Sequence, residues 1–333
     1  MKKNIIKILS VVCLICIVAS MFACQKESDD PTEKSSESTE VYYTVSFDTK
    51  GGSPVDSVKI SAGKTIHRPT DPTLENNVFC RWTYNDVQWV FGENVVKQDM
   101  TLVAYWISAD KFFETEITDN GDISLLGIRR QESLDTLTVP LMINGKNVVA
   151  VSDNAFEEIH EAHTAQLILP ESVTSIGNES FKKISKVKII LNGIITELGE
   201  GAFEKCTTLT EITLGEGLEV IPFRVFADCS SLERIEIPNG VTKIDEDSFV
   251  GCTALRTIVL PSTLVSIENA AFDDCNALKT VFFKGTQEQF DNVTIDKLNQ
   301  AITDAAVYFY SEEKPTEEGN FWHYDKNNSP VIW

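Results

Sequence analysis

Apolar positions along the second half of this chain recur with a fixed beat. Phe203, Phe226, Phe249 and Phe272 stand 23 residues apart, and each is followed three positions later by a cysteine: Cys206, Cys229, Cys252 and Cys275. Phe181 and Phe156 extend the series backwards at spacings of 22 and 25. Between them the apolar positions repeat in one order. One copy reads Leu209, Ile212, Leu214, Leu218, Ile221, Phe226; the next reads Leu232, Ile235, Ile237, Val241, Ile244, Phe249; a third reads Leu255, Ile258, Leu260, Leu264, Ile267, Phe272. A period in the twenties predicts a solenoid, in which one short supersecondary unit stacks on the next. A single coil cannot close a core, and each exposed Ile or Phe at its open ends would cost about 1.5–3 kcal/mol.

Before the repeats the pattern changes to strict alternation. Tyr43-Thr44-Val45-Ser46-Phe47-Asp48 reads as a half-buried strand, Lys50-Gly51-Gly52-Ser53 as a turn, and Val55 to Ile60 as the returning strand. Met100 to Trp106 alternates again. Phe112 to Ile117 and Ile123 to Ile128, joined at Asp119-Asn120-Gly121-Asp122, predict a hairpin that caps the first coil. Gln287 to Ile302 reads as partly helical, and the aromatic runs Val307 to Tyr310 and Phe321 to Tyr324 read as a lid.

Two resemblances follow. The Leu-x-x-Ile-x-Leu-Pro strand and the Ala-Phe-x-x-Cys ending resemble the BspA-like (Treponema-type) leucine-rich repeat, over about Leu137 to Lys284. Val45-x-Phe47-Asp48, the Gly51-Gly52 turn, Arg81-Trp82 and Asp99-Met100-Thr101-Leu102-x-Ala104-x-Trp106 resemble the Listeria–Bacteroides (internalin B-type) repeat, with Cys80 where that family commonly has glycine. The resemblance implies a β-grasp-like sheet used as a spacer or accessory module. Trp82, Trp89 and Trp106 could stack on sugars, but a block this small needs large side chains for its core. The expected fold class is therefore a mainly β repeat protein, a leucine-rich-repeat solenoid preceded by a small β-grasp-like domain.

The N-terminus changes the picture of location. Lys2, Lys3 and Lys7 precede an apolar run from Ile8 to Ala23, of 16 residues, shorter than the about 20 that a spanning helix needs. Met21-Phe22-Ala23-Cys24 resembles a bacterial lipobox, which implies lipidation at Cys24. The expected plan is a lipoprotein signal peptide at 1–23, a polar tether at 24–40, the internalin B-type repeat at 41–107, a capping hairpin at 108–136, leucine-rich repeats at 137–284 and a C-terminal cap at 285–333. Residues 25–40 hold no aromatic or aliphatic side chain, so they can bury nothing. The expected location is the extracellular side of the bacterial cell membrane, with the lipid as the one membrane contact.

Charge and chemistry narrow the function. The formal net charge is −21, which argues against nucleic acid as a partner. The ladder of cysteines reads as buried thiols beside the phenylalanines, since side chains in register point the same way and a disulfide needs them directed at each other. His160-Glu161-Ala162-His163 has a metal-like spacing but no clear third ligand, and no phosphate loop or nucleophile elbow is present. No cofactor is implied and no enzyme is expected. Strand residues lying between the inward ones should face outward. Ile168, Ile190, Val259 and Phe282, with Arg234 and Glu236, then form the candidate partner-binding row, either as an exposed apolar cluster or as ordinary filling of a sheet face. The resemblance implies adhesion to a host or microbial surface protein or glycan. A solute- or glycan-binding lipoprotein is the alternative, although the α/β alternation of such proteins is missing. A hydrolase would need an acid–base pair that the sequence does not single out.

Overall fold

Stacking of the coils is visible directly in the side chains. In the computed structural model, which describes residues 40–333 apart from 130, 131, 133, 158–163 and 186, Phe156, Phe181, Phe203, Phe226, Phe249 and Phe272 form one continuous pile. Successive ring centroids are 5.0–5.7 Å apart and the planes are within 22° of parallel. All six are buried. One phenylalanine per coil meets its equivalents above and below, as close-packed offset rings do.

The coils run as two parallel ladders with this pile to one side. The longer strands form one ladder: Leu134–Thr138, Thr164–Leu169 and Lys188–Leu191 pair in register, as do Arg234–Glu236, Thr257–Leu260, Thr280–Phe283 and Ala306–Tyr310. Two-residue strands form the other, from Ser175–Ile176 and Glu197–Leu198, then Val220–Ile221, Lys243–Ile244, Ser266–Ile267 and Thr294–Ile295. Alternate Leu, Ile and Val from both ladders point inward and are nearly all buried. The first end is closed by the antiparallel hairpin Phe113–Ile117 with Ile123–Ile128. The other end carries the short helix Gln287–Asp291, whose first turn is fixed by a Thr286–Gln289 capping box, and the helix Gln300–Thr303.

The long ladder is interrupted where the sequence pattern looks most regular. The copy from Leu209 to Leu214 is expected to form a strand like its neighbours. Its middle residues are not strand, and only an isolated bridge, Ile195 to Leu214, ties it back to the preceding coil. The break follows the one short coil. Phe181 and Ile189 are eight positions apart, whereas Phe203 and Ile212, and each later pair, are nine apart. One residue fewer in the lead-in offsets the Lys188–Leu191 strand from the coils that follow, and backbone pairing resumes only at Arg234.

The first block is a five-stranded mixed sheet in the order Val58–Ser61, Tyr42–Asp48, Met100–Ser108, Asn77–Tyr84, Val87–Gln88. Trp82 and Trp89 are buried in its core with Val45, Phe79, Met100 and Leu102. Trp106 packs edge-on to Phe79 and donates its indole N–H to the Thr49 carbonyl, 2.9 Å away. Gly52 is required there, because a Cβ would meet the Trp106 ring at 2.7 Å.

Val41–Trp333 is one unit. The opposite face of the first sheet contributes Val78, Cys80 and Ile107 to the solenoid core, beside Phe112, Phe113 and Leu134. Cys80, the departure from the family's glycine, thus lies in the joint. Arg81 pairs with Glu132 at 3.3 Å, Arg68 pairs with Asp135, and the Asn144 N–H donates to Asn76 Oδ1 at 2.7 Å. Residues 1–39, including the expected signal peptide, tether and Cys24, lie outside the described residues, as do His160 and His163.

Candidate functional site

Strand register fixes which side chains share the outward face. Pairing places Thr138, Ile168 and Ile190 in one row, and Glu236, Val259, Phe282 and Tyr308 in its continuation beyond the break. A second row runs Thr136, Gln166, Lys188, then Arg234, Thr257, Thr280, Ala306. The six candidate residues therefore lie on one face, but not in one environment.

Ile168 and Ile190 are directly opposed and only partly buried. Ile168 also lines an apolar groove of about 450 Å³ with Leu74, Pro140, Leu141 and Pro170, at the junction with the first sheet. Arg234 is exposed, with 66% of its side chain accessible, and lies 3.8 Å from the Glu211 carboxylate.

For Val259 and Phe282 the sequence leaves an exposed cluster and ordinary sheet filling open; in the structure both are buried, at 3% and 5% accessible. The cause is the C-terminal segment. Phe321–Tyr324 pairs with the end of Ala306–Tyr310 and turns back through Pro330–Ile332. Trp322, fully buried, lies over Phe282 with centroids 5.2 Å apart, and Tyr308 and Tyr324 complete the cluster. The Trp322 indole N–H donates to the Phe283 carbonyl at 3.0 Å. These aromatics cover part of the outward face rather than only the end of the stack. The sequence signal, Phe321 to Tyr324, was visible, but not which surface it would cover.

Glu236 anchors that cover. Its Oε1 accepts from Tyr324 Oη at 2.8 Å and from Lys284 Nζ at 2.6 Å. Burial raises the Tyr324 hydroxyl pKa well above its ordinary value, and the adjoining Glu236 carboxylate raises it further. A groove of about 240 Å³ remains between Glu236 and the turn at 327–330, with Glu211, Thr213, Arg234 and Thr257 on its other walls.

The buried thiols form a separate constellation. Each donates to the carbonyl of the phenylalanine one coil back from its own: Cys206 to Phe181 at 2.9 Å, and Cys229, Cys252 and Cys275 to Phe203, Phe226 and Phe249 at 3.1 Å. None of the four is in a disulfide. Burial pushes the Cys206 and Cys229 thiols well up, so they stay protonated and unreactive. Among the described residues no three His, Cys, Asp or Glu side chains gather to hold a metal, and no helix is long and apolar enough to cross a membrane. The solenoid is consistent with a non-catalytic, structural or binding protein.

Comparison with known proteins places this architecture. The BspA type leucine rich repeat region matches residues 133–253 and 220–303, in six copies, and the Listeria-Bacteroides repeat domain matches residues 43–105. A protein of Evansella cellulosilytica described as a membrane protein is 34% identical over 88 residues, 25% of this chain and 13% of its own length. A second protein of the same organism, described as a Gly-rich membrane protein, is 36% identical over 88 residues, 23% of this chain and 10% of its own. The chain thus spans a small part of the curated relatives it matches. Among solved structures, a leucine rich cell surface protein of Faecalibacterium prausnitzii is 27% identical, covering 55% of this chain and 41% of its own, with a TM-score of 0.37. The T. pallidum leucine rich repeat protein is 25% identical, covering 59% and 97%, with a TM-score of 0.45. Because the repeat match from 133 to 303 takes in more than half of the 333 residues, the chain belongs to the BspA type leucine rich repeat family.

Proposed function

We propose that this protein is a non-catalytic cell-surface binding protein that holds a macromolecular partner on the outward face of its strand ladder. The observation that carries the reading is the unequal cover of that face. The C-terminal aromatics bury Val259 and Phe282, while Ile168 and Ile190 stay partly exposed beside the apolar groove at 138–142. Apolar side chains left open on a partly covered sheet face are where a partner gains most from burial.

The N-terminal features support an extracellular setting. The basic start, the apolar run and Cys24 suit export and lipid attachment, with a polar tether between lipid and body. The five-stranded sheet, proposed as a β-grasp-like module, would then act as a spacer fixed to the solenoid by the Val78, Cys80 and Ile107 joint. The partner is proposed to be a host or microbial surface protein.

The test is capture from extracts of host matrix and of microbial surfaces by the full chain and by an I168D/I190D variant. The two residues are partly buried and directly opposed, so circular dichroism and a thermal melt first establish that the double variant keeps its strands. The wild type should retain a protein that the double variant loses. Equal capture by both would remove this face from the function.

A further inference from the structure

We propose that the solenoid carries a hinge at the coil 209–222, closed along the phenylalanine pile and open along the two strand ladders, with Pro222 as one of its causes. The hinge follows from backbone bonding and does not depend on the identity of any partner.

Both ladders stop at the same boundary. The long one ends at Lys188–Leu191 and restarts at Arg234–Glu236. The short one ends at Glu197–Leu198 and restarts at Val220–Ile221. Among the described residues, the main chain of 209–222 is tied back to the preceding coil only at Ile195, which forms a bridge with Leu214 and whose carbonyl accepts from the Gly215 N–H at 2.7 Å.

The gap in the short ladder has a cause in the sequence. Just after each short strand, one N–H donates to a carbonyl one coil back: Gly199 to Ile176 at 2.8 Å, and Asp245 to Ile221 and Glu268 to Ile244 at 2.9 Å. The equivalent position between Gly199 and Asp245 is Pro222. Proline has no N–H, so the Leu198 carbonyl receives no such bond.

The phenylalanine side runs unbroken across this boundary. The N–H groups of Gly201, Phe203 and Lys205 donate to the carbonyls of Phe223, Val225 and Ala227 at 2.9, 2.9 and 2.7 Å. Phe203 stacks on Phe226, Cys229 bonds the Phe203 carbonyl, and Arg224 reaches both Glu204 and Asp247. The strand side is correspondingly looser. Ile212 and Leu214 are 9% and 8% accessible, whereas their equivalents Ile258 and Leu260 are 0%.

Bonding along one side defines an axis. Bending about the phenylalanine pile keeps every bond on that side and opens only the Ile195 contacts on the other. Ile168 and Ile190 lie on one arm of the outward face, and Arg234–Glu236, Val259 and Phe282 on the other. A change of angle at the hinge therefore turns these two parts of the face towards or away from each other.

Two measurements on the full chain test this. The first is amide hydrogen exchange by NMR. Gly215 and Phe203 are both buried, and both amides are bonded across the same boundary. Local opening on the strand side should make Gly215 exchange about 100-fold faster than Phe203. The second is the distance between paired spin labels, with Cys13, Cys16 and Cys24 changed to serine. T174C/V265C spans the boundary on the strand side and S185C/N276C spans it on the phenylalanine side, all four at exposed positions. Each pair is four coils apart, about 19 Å at the usual strand spacing. The strand-side pair should give the broader distribution. P222A restores an N–H and should both slow Gly215 exchange and narrow that distribution.

Equal exchange at Gly215 and Phe203 would overturn the hinge. Fast exchange at Gly215 with equally narrow distributions for both pairs would mean that one coil frays while the halves stay fixed, and would overturn it too. A folded P222A that matches wild type in both measurements would overturn the role of Pro222. If P222A does not fold, the wild-type comparison decides alone. No partner is used, so the I168D/I190D capture result is read separately.

Discussion

Cys229 donates its thiol hydrogen to the main-chain carbonyl oxygen of Phe203, 3.1 Å away and one coil back. The same contact recurs at Cys206, Cys252 and Cys275, and each thiol adds a second hydrogen bond, from the next coil, to a carbonyl that already accepts a main-chain N–H within its own coil. The cysteine ladder is a hydrogen-bonded seam between coils.

Replacing Cys229 by alanine removes the donor and leaves a small void in a fully buried position. The Phe203 carbonyl keeps its bond from the Cys206 N–H, so the expected loss is about 1–2 kcal/mol, one net hydrogen bond plus a small cavity. Urea denaturation of C229A against wild type measures it. The four ladder thiols should also resist thiol-specific reagents until the protein is unfolded, and rapid labelling of Cys229 in the native state would contradict its burial.

The cover of Trp322 over Phe282 implies that truncation there acts as a core mutation. W322A should cost about 3–5 kcal/mol and expose Val259 and Phe282, which fluorescence of a bound hydrophobic dye would report. A neutral effect on stability would show that the C-terminal strand is not part of the packed body.

Each coil turns through left-handed residues near its phenylalanine. Asp274 has φ 58° at the place where the preceding coil has Gly251 at φ 72°. D274G should be neutral or slightly stabilising, whereas D274V should cost about 1–2 kcal/mol, because a β-branched side chain is strained in that region. Thermal melts of the two variants give the comparison.

Glu204 predicts an acid limb. Burial pushes its carboxyl pKa up, but hydrogen bonds from Arg224, at 3.2 Å, and from Lys182 outweigh this and hold it below its ordinary value of 4.5. A carboxylate with a lowered folded pKa binds fewer protons in the native state than in the unfolded one. Its contribution is therefore present above pH 4.5 and is lost as pH falls below that value. E204Q should flatten the fall in stability between about pH 5 and pH 3 relative to wild type.

The joint at Val78, Cys80 and Ile107 makes the first sheet and the solenoid share a core. Calorimetry of the wild type should show the sheet melting together with the first coils. C80D places a carboxylate in that joint and should split off an earlier transition for residues 41–107, detectable as early proteolysis near 107–112. A wild type that already melts in two separated steps would argue against a shared core.

The repeat, its inward positions and the capping hairpin were legible in the chain, because a period-23 pattern of Leu, Ile and Phe admits one way of hiding all of them at once. The thiols could be assigned to the interior for the same reason. The outward row could be named from alternation, and strand register sets Ile168 opposite Ile190. What alternation could not convey is whether something else would lie on that row. Val259 and Phe282 are buried by Trp322, which is 40 positions beyond Phe282 in the chain. Nor did it show that Leu209 to Leu214 would leave the ladder, since pairing depends on the offset set by the short coil before it. Local periodicity determines which side of a strand a residue occupies. Cover, docking of the first sheet and the groove at Glu236 come from contacts between distant segments, and those are decided only when the whole chain packs.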